Sequence, residues 1–156
     1  MAREHVLTVP GRYKEIRKIC DFVATGAAEA GFDDDTIFHL ELCCDEASTN
    51  IIEHAYGNEG VGNIVISYQV TDDAFTIVLH DNGQAFDPSE VPPPPAVGSR
   101  DGETREASAE ELTSQLRIGG LGLHFIRNLM DEVHFSSDQH HGNQLVMVKK
   151  LQKDEK

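Results

Sequence analysis

Hydrophobic residues recur every three or four positions along residues 35–56, which is the period of one face of an α-helix. The pattern predicts a long amphipathic helix from about Asp35 to Tyr56. Glu46 and Asn50 lie one turn apart and away from the hydrophobic face, so their side chains project together. Such a polar front is ordinarily a solvated surface, and the alternative is a site that uses an acid and an amide. The repeating hydrophobic positions are Ile37, Leu40, Cys44, Ala47, Ile51 and Ala55.

The residues before this helix predict a short strand and a first helix. Residues 5–9 alternate weakly and end at Pro10, as expected of an edge strand. Hydrophobic residues also recur at helical spacing along residues 11–30, which predicts a helix that ends at Gly31. The acidic residues 33–35 favour the start of the long helix because they can cap free N–H groups there.

Four strands are predicted after the long helix. Residues 62–70 and 75–80 are rich in β-branched residues and are joined by a short polar turn, which predicts a hairpin. The second of these strands is apolar almost throughout, as a central strand would be. Residues 133–136 and 145–149 predict the last two strands, joined by a polar turn.

The tripeptide Asp81-Asn82-Gly83 directly follows the predicted central strand. Such a tripeptide is usually a turn. The alternative is a carboxylate placed at the strand end for a ligand, with the glycine allowing close approach to the backbone.

Residues 88–118 differ in character from the rest of the chain. They include four consecutive prolines at 92–95, a polar stretch at 98–106 and a capping box at 108–111 that predicts a short helix through Leu116. A segment this long inside one domain is either a linker or a functional lid. It is too short to separate two domains of normal size, so we expect a single domain, 1–156, with a lid at 88–118.

A cluster of glycines follows at Gly119, Gly120 and Gly122, at the start of a predicted helix through Met130. Backbone N–H groups are exposed at a helix N-terminus, where the helix dipole is positive. The cluster therefore predicts an anion site, most often one for phosphate.

Charge and composition narrow the choice of partners and location. The net charge of −14 disfavours direct nucleic-acid binding and anionic membrane surfaces. No apolar run in the sequence is long enough to span a bilayer. Residues 1–10 also lack the pattern of a signal peptide, so we expect a cytoplasmic protein. Cys20, Cys43 and Cys44 lack metal-ligand spacing, and the adjacent Cys43 and Cys44 are expected to be free thiols. The histidines at 134, 140 and 141 form either a metal site or, more simply, a solvated turn.

The order of these motifs resembles the GHKL ATPase superfamily. Glu46 to Asn50, followed by His54-Ala55-Tyr56, is similar to the family's N box. Asp81-Asn82-Gly83 is similar to its first glycine box, and residues 119–123 followed by 131–133 are similar to its second. The likeness covers about residues 5–150, and within the superfamily the chain is most similar to the anti-sigma-factor serine kinases of bacteria. The resemblance implies an α+β two-layer sandwich, with a mixed, mostly antiparallel sheet and helices on one face.

The resemblance also implies ATP and Mg²⁺ as cofactors and assigns roles to the motifs. Glu46 would be the general base, and Asn50 would bind both Mg²⁺ and nucleotide. Asp81 would accept a hydrogen bond from the adenine amine, and Gly83 would leave room for the purine. The remaining nucleotide-binding residues would be Arg117, which could reach the γ-phosphate, and the second glycine box of Gly119, Gly120, Leu121, Gly122 and Leu123.

Two positions depart from the family pattern. The first glycine box often ends in a second glycine, where this chain has Ala85. A threonine near the start of the final strand often helps to hold adenine, and here that place is taken by Asn143 and Gln144. Both departures put the geometry of the adenine site in question.

The function implied is that of an ATP-dependent protein serine/threonine kinase acting as an anti-sigma regulatory factor. Its substrate would be a serine on an anti-sigma-factor antagonist, its other partner a sigma factor, and it could form a homodimer. The alternative is a partner-switch module that binds ATP and proteins without phosphotransfer.

Overall fold

The computed structural model describes residues 3–85, 122–138 and 140–151. Strand β1 spans Arg3–Pro10 and leads through a 3₁₀ turn at Tyr13–Glu15 into helix α1, Ile16–Ala30. Gly31 ends α1 at φ 100°, a left-handed conformation that glycine adopts without a steric penalty. The predicted edge strand is confirmed, and the first helix is confirmed with its end at Gly31, although it begins at Ile16 and not at Gly11.

Helix α2 spans Asp34–Asn50 and continues as a π-helical segment, Ile51–Tyr56. Asp33 caps α2, its side chain accepting a hydrogen bond from the Thr36 N–H at 2.8 Å. The predicted helix over 35–56 is thus present, but its last six residues are wound more widely than an α-helix. Periodicity did not reveal this change because hydrophobic residues continue along the segment.

The described residues after Tyr56 form four strands and one helix. Strands β2, Asn63–Val70, and β3, Ala74–Asp81, form the predicted hairpin. Helix α3, Gly122–Leu129, precedes a second hairpin made of β4, Glu132–Asp138, and β5, Gly142–Lys150.

The strands form one sheet in the order β1-β2-β3-β5-β4. All four pairings are antiparallel, with β1 at one edge and β3 in the centre as expected. Side chains alternate between buried and half-buried along β3, because one face of the sheet carries the helices. The predicted α+β architecture is confirmed.

The core lies between this face of the sheet and the helices. Helix α2 packs against α1 on one side and α3 on the other. Fully buried side chains come from the helices and the strands together, including Val23, Leu40, Ile66, Phe75, Ile77 and Ile126.

Polar contacts tie α3 to strand β5. Lys149 Nζ donates to the Leu129 carbonyl at 3.0 Å, close to the helix C-terminus, where a positive charge is favourable. Asp131, just after the helix, donates its N–H to the Val148 carbonyl at 2.9 Å and accepts from the Lys150 N–H at 2.6 Å. The helix that begins at Gly122 is therefore held against a strand beside the centre of the sheet.

The remaining sequence predictions concern the lid, a membrane-spanning helix, the cysteines and the C-terminal histidines. The lid at 88–118 and its short helix lie outside the described residues. Within the described residues no helix is long and apolar enough to cross a membrane. The three cysteines are buried free thiols. His141 Nδ1 lies 3.0 Å from Asp138 Oδ2, and no group of three metal-ligating side chains is found in the described ranges.

Candidate nucleotide site

Glu46 and Asn50 are buried on α2 and do not form a solvated face. Glu46 is 4% exposed and Asn50 is 8% exposed. Ionisable side chains are almost never buried without a partner or a function, because a charge loses its hydration there. Because both side chains are buried, the polar face of α2 is better interpreted as a functional site than as a solvated surface.

The surroundings of Glu46 disfavour its charge. Burial, together with repulsion from Asp45 and Glu53, raises the pKa of Glu46 from 4.5 to about 8. The Asn50 amide acts in the opposite direction, because as a hydrogen-bond donor it favours the carboxylate. A carboxyl group with a pKa near neutrality is suited to proton transfer.

The Asn50 amide can offer one oxygen ligand to a cation. An amide lowers the pKa of a carboxyl group by donating through its nitrogen, so its carbonyl oxygen would remain for another partner. Mg²⁺ is commonly bound by one or two protein oxygens together with water and substrate phosphates. A single amide oxygen on α2 fits that mode of binding, and it does not require a closed cage of protein ligands.

A cavity of about 610 Å³ adjoins Glu46 on the side of α1. It lies between α1 and α2, and neither Asn50 nor Asp81 lines it. Glu46 therefore borders open space on this side. The cavity is lined by Tyr13, Ile16, Arg17, Cys20, Phe38, Glu41, Leu42, Asp45, Glu46, Thr49 and Glu53.

Asp81 forms the second part of the candidate site, at the end of β3. It is 2% exposed, and its Oδ1 accepts two hydrogen bonds, from the Gly83 N–H and from Asn143 Nδ2, both at 2.8 Å. Burial raises the pKa of Asp81, whereas the two donors and the nearby His80 lower it. The effect of burial is the largest, so the pKa of Asp81 is raised overall, and the two donors hold its carboxyl group in place at the end of β3.

The loop after Asp81 rests on the end of the π-helical segment. The Gln84 N–H donates to the Ala55 carbonyl at 2.7 Å, and the Asn82 N–H donates to the Tyr56 hydroxyl at 3.1 Å. A Cβ on Gly83 would lie 2.6 Å from the Ala55 carbonyl oxygen, closer than real Cβ atoms come. The first glycine box needs glycine at 83 for this contact with the helix backbone.

These contacts place both parts of the site along one helix. The loop after Asp81 contacts Ala55, and Asn50 and Glu46 precede Ala55 by five and nine residues. Glu46 therefore lies about two helical turns back along the helix axis. An extended ligand lying along α2 could contact Asp81 at one end and Asn50 at the other.

The other predicted site residues lie at or before α3. Gly122 is the first residue of that helix, and Leu123 follows it. The first N–H groups of a helix have no partner within it, so this end of α3 can still accept an anion. The remaining predicted residues are Arg117, Gly119, Gly120 and Leu121, which lie outside the described residues.

Asn143 and Ser137 join the candidate site although neither was predicted as a site residue. Asn143 Nδ2 also donates to the Gln84 carbonyl at 3.0 Å, and Ser137 Oγ donates to Asn143 Oδ1 at 2.7 Å. A signal for Asn143 was present in the sequence. Side chains alternate along β5, so Asn143 points to the same inward face as Leu145 and Met147. It is therefore a polar residue at a core position.

The chain is similar over most of its length to bacterial serine-protein kinases. The chain is 34% identical to the serine-protein kinase RsbW of Listeria innocua serovar 6a over 123 residues, which cover 79% of this chain and 71% of the relative. It is 33% identical to the serine-protein kinase RsbW of Halalkalibacterium halodurans over 149 residues, 96% of this chain and 84% of the relative.

A family model described as the histidine kinase-like ATPase domain matches residues 9–149. That range includes both described parts of the candidate site and the predicted glycine boxes. The family predicted from the motifs is confirmed, and the chain belongs to the histidine kinase-like ATPase domain family.

Proposed function

We propose that the protein is an ATP-dependent protein serine/threonine kinase that acts as an anti-sigma regulatory factor. Its substrate would be a serine on an anti-sigma-factor antagonist. The observation that carries this proposal is the buried Glu46 with its raised pKa. It lies on the helix that also carries Asn50 and whose end contacts the loop after Asp81. The relatives named serine-protein kinase support the same activity.

ATP would lie along α2 with its base at Asp81 and its phosphates towards Asn50 and the start of α3. Asp81 would accept a hydrogen bond from the adenine amine. The glycines before Gly122, with Arg117, would contact the phosphates, and Mg²⁺ bound through Asn50 would neutralise part of their charge.

Glu46 would act as the general base. Its carboxylate would take the proton from the serine hydroxyl while the serine oxygen bonds to the γ-phosphorus. The bond from that phosphorus to the β–γ bridging oxygen would break, releasing ADP. The cavity beside Glu46 is consistent with this role, because it leaves the carboxyl group next to open space on the α1 side.

The expected partners follow from the family likeness and the charge. A sigma factor would be the second partner, and the net charge of −14 suits a basic segment on it. A homodimer, a cytoplasmic location and a lid at 88–118 that closes over ATP complete the proposal.

A phosphotransfer assay tests the proposal directly. The purified protein is incubated with Mg²⁺, γ-labelled ATP and a panel of anti-sigma-factor antagonists. We expect label on a serine of one antagonist and its loss in Glu46→Gln. Glu29→Gln, which removes an exposed carboxylate on α1, should label the antagonist as the wild type does.

The alternative is a module that binds ATP and protein partners without phosphotransfer. Tight ATP binding with no label on any antagonist would favour it. Retention of a buried Glu46 with a raised pKa favours the kinase, since a pure binding module gains nothing from a buried acid.

A further inference from the structure

Asn143 is the residue that holds Asp81 in place from the opposite strand. The two residues are partners in the β3–β5 register, and Asn143 is 2% exposed. Its orientation is determined by its neighbours. Asp81 Oδ1 and the Gln84 carbonyl are both acceptors, so the atom facing them must be the amide nitrogen.

Ser137 then fixes the other end of the amide. Its hydroxyl donates to Asn143 Oδ1 at 2.7 Å. A turned amide would lose the hydrogen bonds to Asp81 Oδ1 and the Gln84 carbonyl, and it could keep the Ser137 contact only with the hydroxyl as acceptor. The result is a chain of polar contacts from Ser137 through Asn143 to Asp81, across two strand pairings.

The chain controls what Asp81 can offer to a ligand. Oδ1 already accepts two N–H groups, from Asn143 and Gly83. No described residue donates to Oδ2. Whenever its carboxyl group is ionised, Asp81 is an acceptor only, so its remaining oxygen suits a base with an exocyclic amine and repels one with a carbonyl at that position.

We propose that Asn143, oriented by Ser137, is a positioning residue that makes the site selective for a 6-aminopurine over a 6-oxopurine. This inference rests on the proposed function, because it assigns the Asp81 end of the site to a nucleotide base. It goes beyond that function in assigning base selection to a residue that does not itself contact the ligand.

The decisive variant is Asn143→Asp, which is nearly the same size and replaces the amide nitrogen with an oxygen. Two carboxyl groups in contact must share a proton, so Asp81 would no longer be acceptor-only. We expect the affinity for ADP to fall by about tenfold or more while the affinity for GDP falls less or rises. Isothermal titration calorimetry with ADP and with GDP measures both affinities.

Ser137 offers a milder variant that leaves the core unchanged. Ser137→Ala should reduce the preference for ADP over GDP by about two- to fivefold, because the amide loses one of three restraints. Ser137→Thr keeps the hydroxyl and should restore the preference. Ser136→Ala, on the exposed neighbouring residue of the same strand, is the matched control and should bind like the wild type.

The outcomes separate this inference from the proposed function. If the wild type binds neither nucleotide, both fail together. If the wild type prefers ADP and the variants lose both affinities in parallel, or lose neither, only the role of Asn143 is refuted. Should Asn143→Asp not fold, the Ser137 pair gives the same decision, with thermal melting to show that both variants are intact.

Discussion

Glu46 should make the ligand-free protein less stable as the pH rises. Its pKa is about 8 in the folded protein against an ordinary value of 4.5. Below pH 4.5 the group is protonated in both the folded and the unfolded state, so it imposes no penalty. As the pH rises towards 8, the unfolded chain releases the proton and the folded protein keeps it, so stability is lost until the folded group also ionises.

The size of this effect follows from the shift. At 1.36 kcal/mol per pKa unit, a rise from 4.5 to about 8 corresponds to roughly 5 kcal/mol over the full range. Most of that change falls between pH 5 and pH 9. Glu46→Gln removes this titration. The free energy of unfolding of the variant, relative to that of the wild type, should therefore increase by about 3–4 kcal/mol from pH 5 to pH 9.

Urea denaturation followed by far-ultraviolet circular dichroism measures the difference, in EDTA and without nucleotide. The chain has no tryptophan, so helix content is the better probe. All other titrating groups are common to both proteins and cancel in the comparison. Equal m-values are required for the two curves to be compared.

Two results would refute the reasoning. If the variant and the wild type lose stability in parallel between pH 5 and pH 9, Glu46 is not in a desolvated environment. If Glu29→Gln, which changes an exposed carboxylate, shows the same pH-dependent gain, the effect reflects the net charge of −14 and not burial.

Three further predictions concern the same site. Phosphotransfer should rise with pH and level off at or below about pH 8, because the base must be ionised and a bound cation lowers the pKa of Glu46; a flat pH–rate profile would contradict its role. Gly83→Ala should cost about 1–3 kcal/mol of stability in urea denaturation, because its Cβ would meet the Ala55 backbone, and ADP binding should weaken with it. Asn50→Ala should bind ADP with little dependence on Mg²⁺, whereas the wild type should lose affinity in EDTA by about tenfold or more; equal responses to EDTA would remove Asn50 as the ligand.

The fold could be predicted from the sequence because its signals are local. The stripe on α2, the Asp33 cap and the alternation along β3 each reflect which side chains face the core. The pairing of β3 with β5 could not be predicted in the same way. It joins residues more than sixty positions apart, and hydrophobic alternation does not identify the partner strand.

The site was predictable where a motif marks it and not where packing builds it. Glu46, Asn50, Asp81 and Gly83 all lie in short motifs, although the motifs alone did not show that the first three are buried. Asn143 was noted only as a departure from a family threonine. Its contact with Asp81 depends on the strand register, which no local pattern contains.

The π-helical segment explains how the two parts of the site can belong to one helix. The π-helical segment begins directly after Asn50, and its last two residues, Ala55 and Tyr56, contact the loop after Asp81 through the Ala55 carbonyl and the Tyr56 hydroxyl. Residues 51–56 therefore connect Asn50 to the contact with the loop after Asp81, so substitutions there should alter nucleotide affinity even when they leave Glu46 and Asn50 unchanged.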